Sequence, residues 1–232
     1  MYEMTIGVVC AMEEEIRELL AVLDERQETV IAGQPYYSGK IEGVDVALVQ
    51  CGIGKVQAGM NTAVLLERFK PDVVINTGSA GGIGDGLKVG DVVISSGVAY
   101  HDVNSTAFGY KPGQLPDQPQ IFKADEEYVG KIQQAAAATN LTTHVGLIVT
   151  GDQFISSTPA IEKIKSIYSD ALASEMEGGA IGQVATQFKT PFVVIRAMSD
   201  TGDENASVSF DEFIVEAGKR SAAMLLAFLK AL

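Results

Sequence analysis

The sequence predicts an α/β protein built as a central mixed β-sheet flanked by helices. Apolar runs rich in Val and Ile recur along its 232 residues, and most are continuous rather than alternating. Continuous runs are typical of strands covered on both faces, as in mainly parallel sheets. Helical patterns separate many of the runs, which indicates strand–helix alternation. The expected strands lie at residues 5–10, 44–51, 73–77, 91–98, 144–150, 171–174 and 191–198.

Two helices are predicted from apolar stripes. Ile16, Leu19, Leu20 and Leu23 follow the first run with the i, i+3, i+4, i+7 spacing of an amphipathic helix. A longer stripe near the C-terminus consists of Phe210, Phe213, Ile214, Ala217, Ser221, Met224, Leu225 and Phe228.

A hairpin and a long loop complete the predicted architecture. Strand-like runs at 29–37 and 44–51 are joined by a short turn containing Gly39 and Gly43, which makes the sheet mixed. Residues 102–122 have no clear period and are rich in Gly and Pro, as in lids, binding loops and interfaces. No linker or repeat interrupts the pattern, so one domain over residues 1–232 is expected.

The charge excludes several classes of partner. The net charge is −13 with only 17 Lys and Arg residues, which argues against nucleic acid, anionic membranes and polyanionic substrates. The first apolar run lacks a preceding basic region, and no run reaches the 18 residues of a membrane span. We therefore expect a cytoplasmic protein.

Cysteine and histidine usage predicts neither a metal site nor a disulfide. Cys10 and Cys51 lie in apolar runs without a CxxC pair, as expected of buried reduced thiols. His101 and His144 are far apart in sequence and lack neighbouring Cys or His, so no metal is expected.

Carboxylates follow three of the apolar runs. They are the Glu triplet at positions 13–15, the pair Glu175 and Glu177, and Asp200. Because ligands in open α/β sheets bind at the carboxyl ends of the strands, these acids can meet in one cleft. Converging carboxylates suit chemistry that needs an acid, a base and a stabiliser of positive charge.

Each acid also has a structural interpretation. Glu residues in the first turn of a helix interact favourably with its dipole, which applies to positions 13–15 and to Glu175 and Glu177. The pair Ser199 and Asp200 can supply a helix N-cap. The occurrence of these acids together at the ends of three apolar runs favours a functional site over these structural roles.

Two glycine-rich segments are candidate ligand loops. The segment 78–82 (GSAGG) allows close backbone approach to a ligand, although an ordinary turn explains its glycines equally well. The segment 52–55 (GIGK) lacks the Walker spacing, and Gln57 stands where the dinucleotide fingerprint has its third glycine. A nicotinamide-dependent dehydrogenase is therefore weakly supported, and no cofactor is expected.

Taken in order, these segments resemble the bacterial 5′-methylthioadenosine/S-adenosylhomocysteine nucleosidases of the purine nucleoside phosphorylase superfamily. The resemblance spans the whole chain. It is carried by the segments at 11–15 (AMEEE), 51–55 (CGIGK), 76–82 (NTGSAGG), 100–102 (YHD), 106–110 (TAFGY), 151–155 (GDQFI), 175–177 (EME), 196–200 (RAMSD) and 209–213 (SFDEF).

The resemblance implies a nucleoside phosphorylase-like fold and hydrolysis of the N-glycosidic bond of methylthioadenosine, adenosylhomocysteine and 5′-deoxyadenosine. Adenine and a thioribose are the implied products of the two thionucleosides, in methionine salvage and without a cofactor. Asp200 is implied as the acid at purine N7, Glu15 as the base on the water, and Glu177 as the ligand of the ribose hydroxyls.

The remaining substrate contacts are also implied by the resemblance alone. Met176 packs on the ribose, and Phe154 and Ile155 bind adenine. The water and purine sites are completed by Ser79, Gly81, Arg196 and Ser199. The 5′ substituent is contacted by Met12, Ile53 and Phe210, with Phe108 and Pro116 reaching across from the second subunit of a homodimer.

Two other functions share this fold or this ligand. A phosphorylase would need Arg residues and acid-free helix N-termini for phosphate, whereas the sequence has five Arg and places Glu at the first helix start. A non-catalytic nucleoside-binding protein would need neither an acid nor a base. Fold alone does not separate these alternatives.

Overall fold

The computed structural model describes residues 4–232, which form a large β-sheet with helices on both faces. The strands are β1 (Thr5–Cys10), β2 (Asp24–Ile31), β3 (Gln34–Ile41), β4 (Val44–Gln50), β5 (Val73–Gly82), β6 (Val92–Tyr100), β7 (Ile121–Lys123), β8 (Thr143–Thr150), β9 (Ala171–Glu175) and β10 (Phe192–Asp200). The helices are α1 (Glu13–Ala21), α2 (Lys55–Phe69), α3 (Glu126–Ala136), α4 (Thr158–Ile167), α5 (Gly178–Phe188) and α6 (Ala206–Lys230).

The sheet is mixed, and part of it closes on itself. Its strand order is β10-β6-β8-β9-β5-β1-β4-β3-β2, and β10 also pairs with β5, so that β5, β10, β6, β8 and β9 form a ring. Strands β1, β4, β5 and β10 are parallel neighbours, whereas β9 runs antiparallel to β5. The predicted α/β class with a mixed sheet is confirmed.

Two apolar cores cover the two faces of the sheet. One contains Ile16 and Leu19 of α1 with Met224 and Leu225 of α6, and the other contains Leu65 of α2 among its members. The central strands β1, β5 and β10 are buried almost throughout, which explains their continuous apolar sequences. Both predicted helices are present, as α1 and α6.

Strand β5 continues through segment 78–82, and this extension positions the site. We expected β5 to end near Thr77 and a turn to follow, but the strand extends to Gly82. Its last residues, Gly81 and Gly82, pair with Ser174 and Ala173 of the antiparallel strand β9. This extension brings the carboxyl end of β9 beside the carboxyl ends of β1 and β10.

The predicted hairpin was only partly right. The run at 29–37 is broken by a turn at Ala32 and Gly33, both with positive φ, so that two strands replace one. The turn before β4 lies at Glu42 and Gly43, and Gly39 belongs to strand β3.

The predicted long segment at 102–122 is largely irregular, with a short 3₁₀ turn at Thr106–Phe108 and the unforeseen strand β7 near its end. Both cysteines are buried and free, as predicted. Within residues 4–232, no helix has the length and apolar character needed to cross a membrane.

Candidate active site

A cavity of about 350 Å³ lies where β1, β5, β9 and β10 end. Most of the residues singled out from the sequence line it, namely Met12, Glu15, Ile53, Ser79, Gly81, Phe154, Met176, Glu177, Ser199, Asp200 and Phe210. It is also lined by Ala11, Ala80, Ser174 and Glu175. Its size suits a small ligand.

Glu15 is held by donors on both carboxylate oxygens. It is the third residue of α1 and reaches back over the helix start, where Oε2 accepts the backbone N–H groups of Ala11 at 2.9 Å and Met12 at 3.1 Å. Oε1 accepts the backbone N–H of Ser79 at 2.9 Å and its hydroxyl at 3.0 Å. Glu15 is therefore buried and fixed at the cavity wall, whereas Glu13 faces solvent and pairs with Arg17.

Glu177 stands at the start of α5, opposite the start of α2. Its Oε1 accepts the Gly54 backbone N–H at 2.9 Å, and its Oε2 lies 3.4 Å from Nη2 of Arg196. Burial raises the pKa of Glu177, and the neighbouring Glu175 adds to the rise, while Arg196 opposes it.

Asp200 ends strand β10 and is also buried. Oδ2 accepts the Ser199 hydroxyl at 2.9 Å, and Oδ1 accepts the Gly202 N–H at 2.9 Å. Burial outweighs these hydrogen bonds and raises the pKa of Asp200. A carboxyl group of this kind keeps its proton to higher pH than usual, as a general acid requires. A side chain at Gly81 would come within 2.8 Å of Oδ1, so a larger residue here would displace the Asp200 carboxyl.

Arg196 lies beneath the cavity and does not line it. The side chain is fully buried, donates to Asn76 Oδ1 at 2.7 Å, and forms ion pairs with Glu175 and Glu177. These contacts all use Nη2, and within the described residues the buried Nε and Nη1 have no hydrogen-bond partner.

Aromatic and aliphatic groups form the rest of the cavity. The rings of Phe154 and Phe210 meet edge to face, with centroids 5.6 Å apart. Ile53 is half exposed, whereas the Ile155 side chain is buried in a separate apolar cluster. Phe108 is 81% exposed and lies outside the cavity, as does the exposed Pro116.

Sequence reasoning did not assign a catalytic or substrate-binding role to two residues of this site. The sequence predicted Glu175 as one of the converging carboxylates or as an acid at a helix start, and its carboxylate contacts more groups than that of Glu177 does. A side chain at Gly78 would collide with Arg196 and with Glu15 Oε1, so glycine at this position leaves room for both charged groups. The charge of Glu175 was visible in the sequence, but the pairing across β5 that buries it was not.

The arrangement places a protonatable carboxyl and two further carboxylates around one apolar space. Such a site can donate a proton to a leaving group, accept one from water and stabilise positive charge between them. Within the part of the chain that the structure describes, no group of three or more His, Cys, Asp or Glu residues is placed to hold a metal ion. The expectation of a site without a metal or cofactor stays a prediction.

Comparison with known proteins agrees with this fold and site. The family model of the phosphorylase superfamily matches residues 5–230, so the chain belongs to that superfamily. A curated 5′-methylthioadenosine/S-adenosylhomocysteine nucleosidase of Geobacillus sp. (strain WCH70) is 48% identical over 230 residues, covering 99% of both chains. Within the superfamily, the chain thus falls among the 5′-methylthioadenosine/S-adenosylhomocysteine nucleosidases, and the resemblance seen in the sequence is confirmed.

Solved structures support the same placement. The S-adenosylhomocysteine nucleosidase of Streptococcus pyogenes, solved with 5-methylthiotubericidin, is 46% identical with a TM-score of 0.97, covering 100% of this chain and 98% of that one. The Streptococcus pneumoniae 5′-methylthioadenosine/S-adenosylhomocysteine nucleosidase, solved with a transition-state inhibitor, is 50% identical with a TM-score of 0.95, covering 98% and 99%.

Proposed function

We propose that this protein hydrolyses the N-glycosidic bond of 5′-methylthioadenosine and S-adenosylhomocysteine, releasing adenine and the corresponding thioribose. The observation that carries the proposal is the meeting of Glu15, Glu177 and Asp200 in one largely apolar cavity. The names of relatives that match along nearly the whole chain give the substrate class.

The first step is protonation of the leaving group. Adenine departs poorly as an anion, and a proton on N7 makes it a neutral leaving group. Asp200 is suited to supply that proton, because burial favours its neutral form and Ser199 fixes one of its oxygens. The electron pair of the C1′–N9 bond then leaves with adenine.

Water completes the reaction at C1′. Glu15 takes one proton from the water as its oxygen bonds to C1′, which gives the free sugar. The four hydrogen bonds to Glu15 fix its orientation toward the cavity before substrate arrives. Such fixed geometry lowers the entropic cost of the attack.

Glu177 is the proposed partner of the ribose hydroxyls. As the glycosidic bond breaks, the sugar gains oxocarbenium character, and a buried carboxylate nearby stabilises positive charge. Because burial raises the pKa of Glu177, the ionised form required for this role is lost as the pH falls through that raised value.

Hydrolysis is favoured over phosphorolysis because Glu15 occupies the backbone N–H groups that phosphate would need. The N–H groups of Ala11, Met12 and Ser79 are the kind of cradle that binds phosphate, but the carboxylate of Glu15 already occupies them. Its negative charge would repel phosphate. Arg196 does not line the cavity, and its Nη2 is paired with two acids beneath it.

The direct test of substrate class is adenine release, followed by chromatography, from methylthioadenosine, adenosylhomocysteine and 5′-deoxyadenosine. We expect turnover of the two thionucleosides and, following the family resemblance, of 5′-deoxyadenosine. Absence of adenine release from both thionucleosides would overturn the proposal.

We further propose that the active form is a homodimer, in which Phe108 and Pro116 approach the partner's site. Phe108 is exposed on a segment rich in Gly and Pro, and Val56 and Met60 add exposed apolar area along one side of α2. Aromatic and apolar groups on an acidic surface suit an interface core.

Light scattering is expected to give about twice the chain mass of 24.5 kDa. Phe108→Ala is expected to raise KM for methylthioadenosine, whereas Phe188→Ala, at an exposed position in α5, serves as the control. A stable monomer with full activity would contradict this proposal.

A cytoplasmic location in methionine salvage is also proposed. The two free buried cysteines agree with a reducing compartment. Recovery of the protein in the secreted fraction of its source cells would contradict this location.

A further inference from the structure

Glu175 borders the cavity, yet its carboxylate is directed at protein donors. Oε2 accepts the backbone N–H of Glu177 at 3.0 Å and of Gly178 at 2.7 Å, and it also forms an ion pair with Arg196. Oε1 accepts the hydroxyl of Thr150. The side chain is 2% exposed, so little of its hydrogen-bonding capacity remains for a ligand.

These contacts provide hydrogen-bond acceptors for backbone N–H groups at the start of helix α5. The first N–H groups of a helix have no partner within the helix and are usually capped by the N-cap side chain. Glu177 occupies the N-cap position, but its side chain makes no capping hydrogen bond. Glu175 accepts two of the N–H groups directly, while the Thr150 hydroxyl accepts that of Gly179 at 2.7 Å.

Glu175 also governs the position of Arg196. The guanidinium approaches Glu175 much more closely than Glu177, which it reaches at 3.4 Å. Without Glu175, the same cation would be free to pair fully with Glu177 and draw its carboxylate away from the cavity.

We propose that Glu175 is a positioning residue, which caps α5 in place of Glu177 and holds Arg196, so that the Glu177 carboxylate remains directed at the ribose of the substrate. The inference rests on the proposed function for the assignment of ribose to Glu177. Thr150 takes part in the same capping arrangement, because its hydroxyl donates to Glu175 and accepts the N–H of Gly179.

The test compares two ligands by calorimetry. 5-Methylthiotubericidin, the analogue found in the Streptococcus pyogenes relative, carries a ribose, whereas adenine does not. Glu175→Gln keeps the shape of the side chain but removes its charge. We expect it to weaken binding of the analogue by about 10-fold, in the range of couplings between contacting residues, and to leave adenine affinity unchanged.

Thr150→Val should weaken analogue binding in the same selective way, by a smaller factor. Thr62→Val is its matched control, because the Thr62 hydroxyl is equally buried but makes no hydrogen bond. If Glu175→Gln does not fold, the selective loss must appear in Thr150→Val.

A double-mutant cycle completes the test. In a Glu177→Gln background, Glu175→Gln should weaken analogue binding no further, because the group through which it acts has lost its charge. Equal weakening of both ligands, or a full additional loss in that background, would overturn the proposal. These binding results are independent of the proposed reaction, whose own failure would appear as an absence of adenine release by the unmodified protein.

Discussion

Asp200→Asn is expected to lower the turnover of methylthioadenosine by on the order of 10²–10⁴-fold, the usual loss when a general acid is removed. Asn keeps the shape of Asp and can still accept the Gly202 N–H, but it cannot pass a proton to N7. Single-turnover measurement of adenine release reports this step directly, and binding of adenine should persist.

The stability of the same variant provides the control. Burial makes the pKa of Asp200 higher in the folded than in the unfolded protein. As the pH rises from the unfolded-state pKa through the folded-state pKa, ionisation of Asp200 therefore destabilises the fold progressively. Asn carries no charge, so its Tm at neutral pH should equal or exceed that of the unmodified protein. Turnover close to the original would remove Asp200 from the mechanism, and a lowered Tm would contradict the account of its pKa.

Glu15→Gln is expected to reduce turnover to a similar extent, on the order of 10²–10⁴-fold, because Gln cannot take a proton from water. Unlike Asp200→Asn, it should also destabilise the protein. Both oxygens of Glu15 accept backbone N–H groups, and the amide NH₂ of Gln cannot replace either one. A buried N–H left without an acceptor costs about 1–3 kcal/mol.

Differential scanning calorimetry and adenine release together check this expectation. Glu13→Gln is the matched control, since Glu13 lies in the same helical turn but faces solvent. It should retain full turnover and lower the stability by only about a few tenths of a kcal/mol. Greater inactivation by Glu13→Gln than by Glu15→Gln would place the base two residues earlier.

The positions of the catalytic carboxylates were predictable because the strand pattern is strong. The apolar runs ending at Cys10 and Asp200 are central parallel strands, so their carboxyl ends had to share one edge of the sheet. The sequence alone left open which of the three Glu residues at 13–15 faces the cavity, and the family resemblance favoured Glu15. The interpretation of Ser199 and Asp200 as a helix N-cap is excluded, since both lie in β10 and α6 begins at Ala206.

Contacts between distant segments were less accessible to sequence reasoning. The extension of β5 to Gly82 depends on a partner strand about ninety residues later, and the local β-propensity of the segment does not predict that pairing. The same pairing helps to bury Glu175, for which the sequence offered a helix-start role, and there it accepts N–H groups at the start of α5. The buried place of Arg196 likewise depends on Asn76 and two acids, none adjacent to it in sequence.

Identification of the sugar product tests the central claim most directly. Methylthioadenosine is incubated with the protein in phosphate-free buffer and, separately, with phosphate, and the products are identified by mass spectrometry. The occupation of the backbone donors by Glu15 predicts free methylthioribose in both reactions and the same rate of adenine release. Adenine release that requires phosphate and yields methylthioribose 1-phosphate would contradict it.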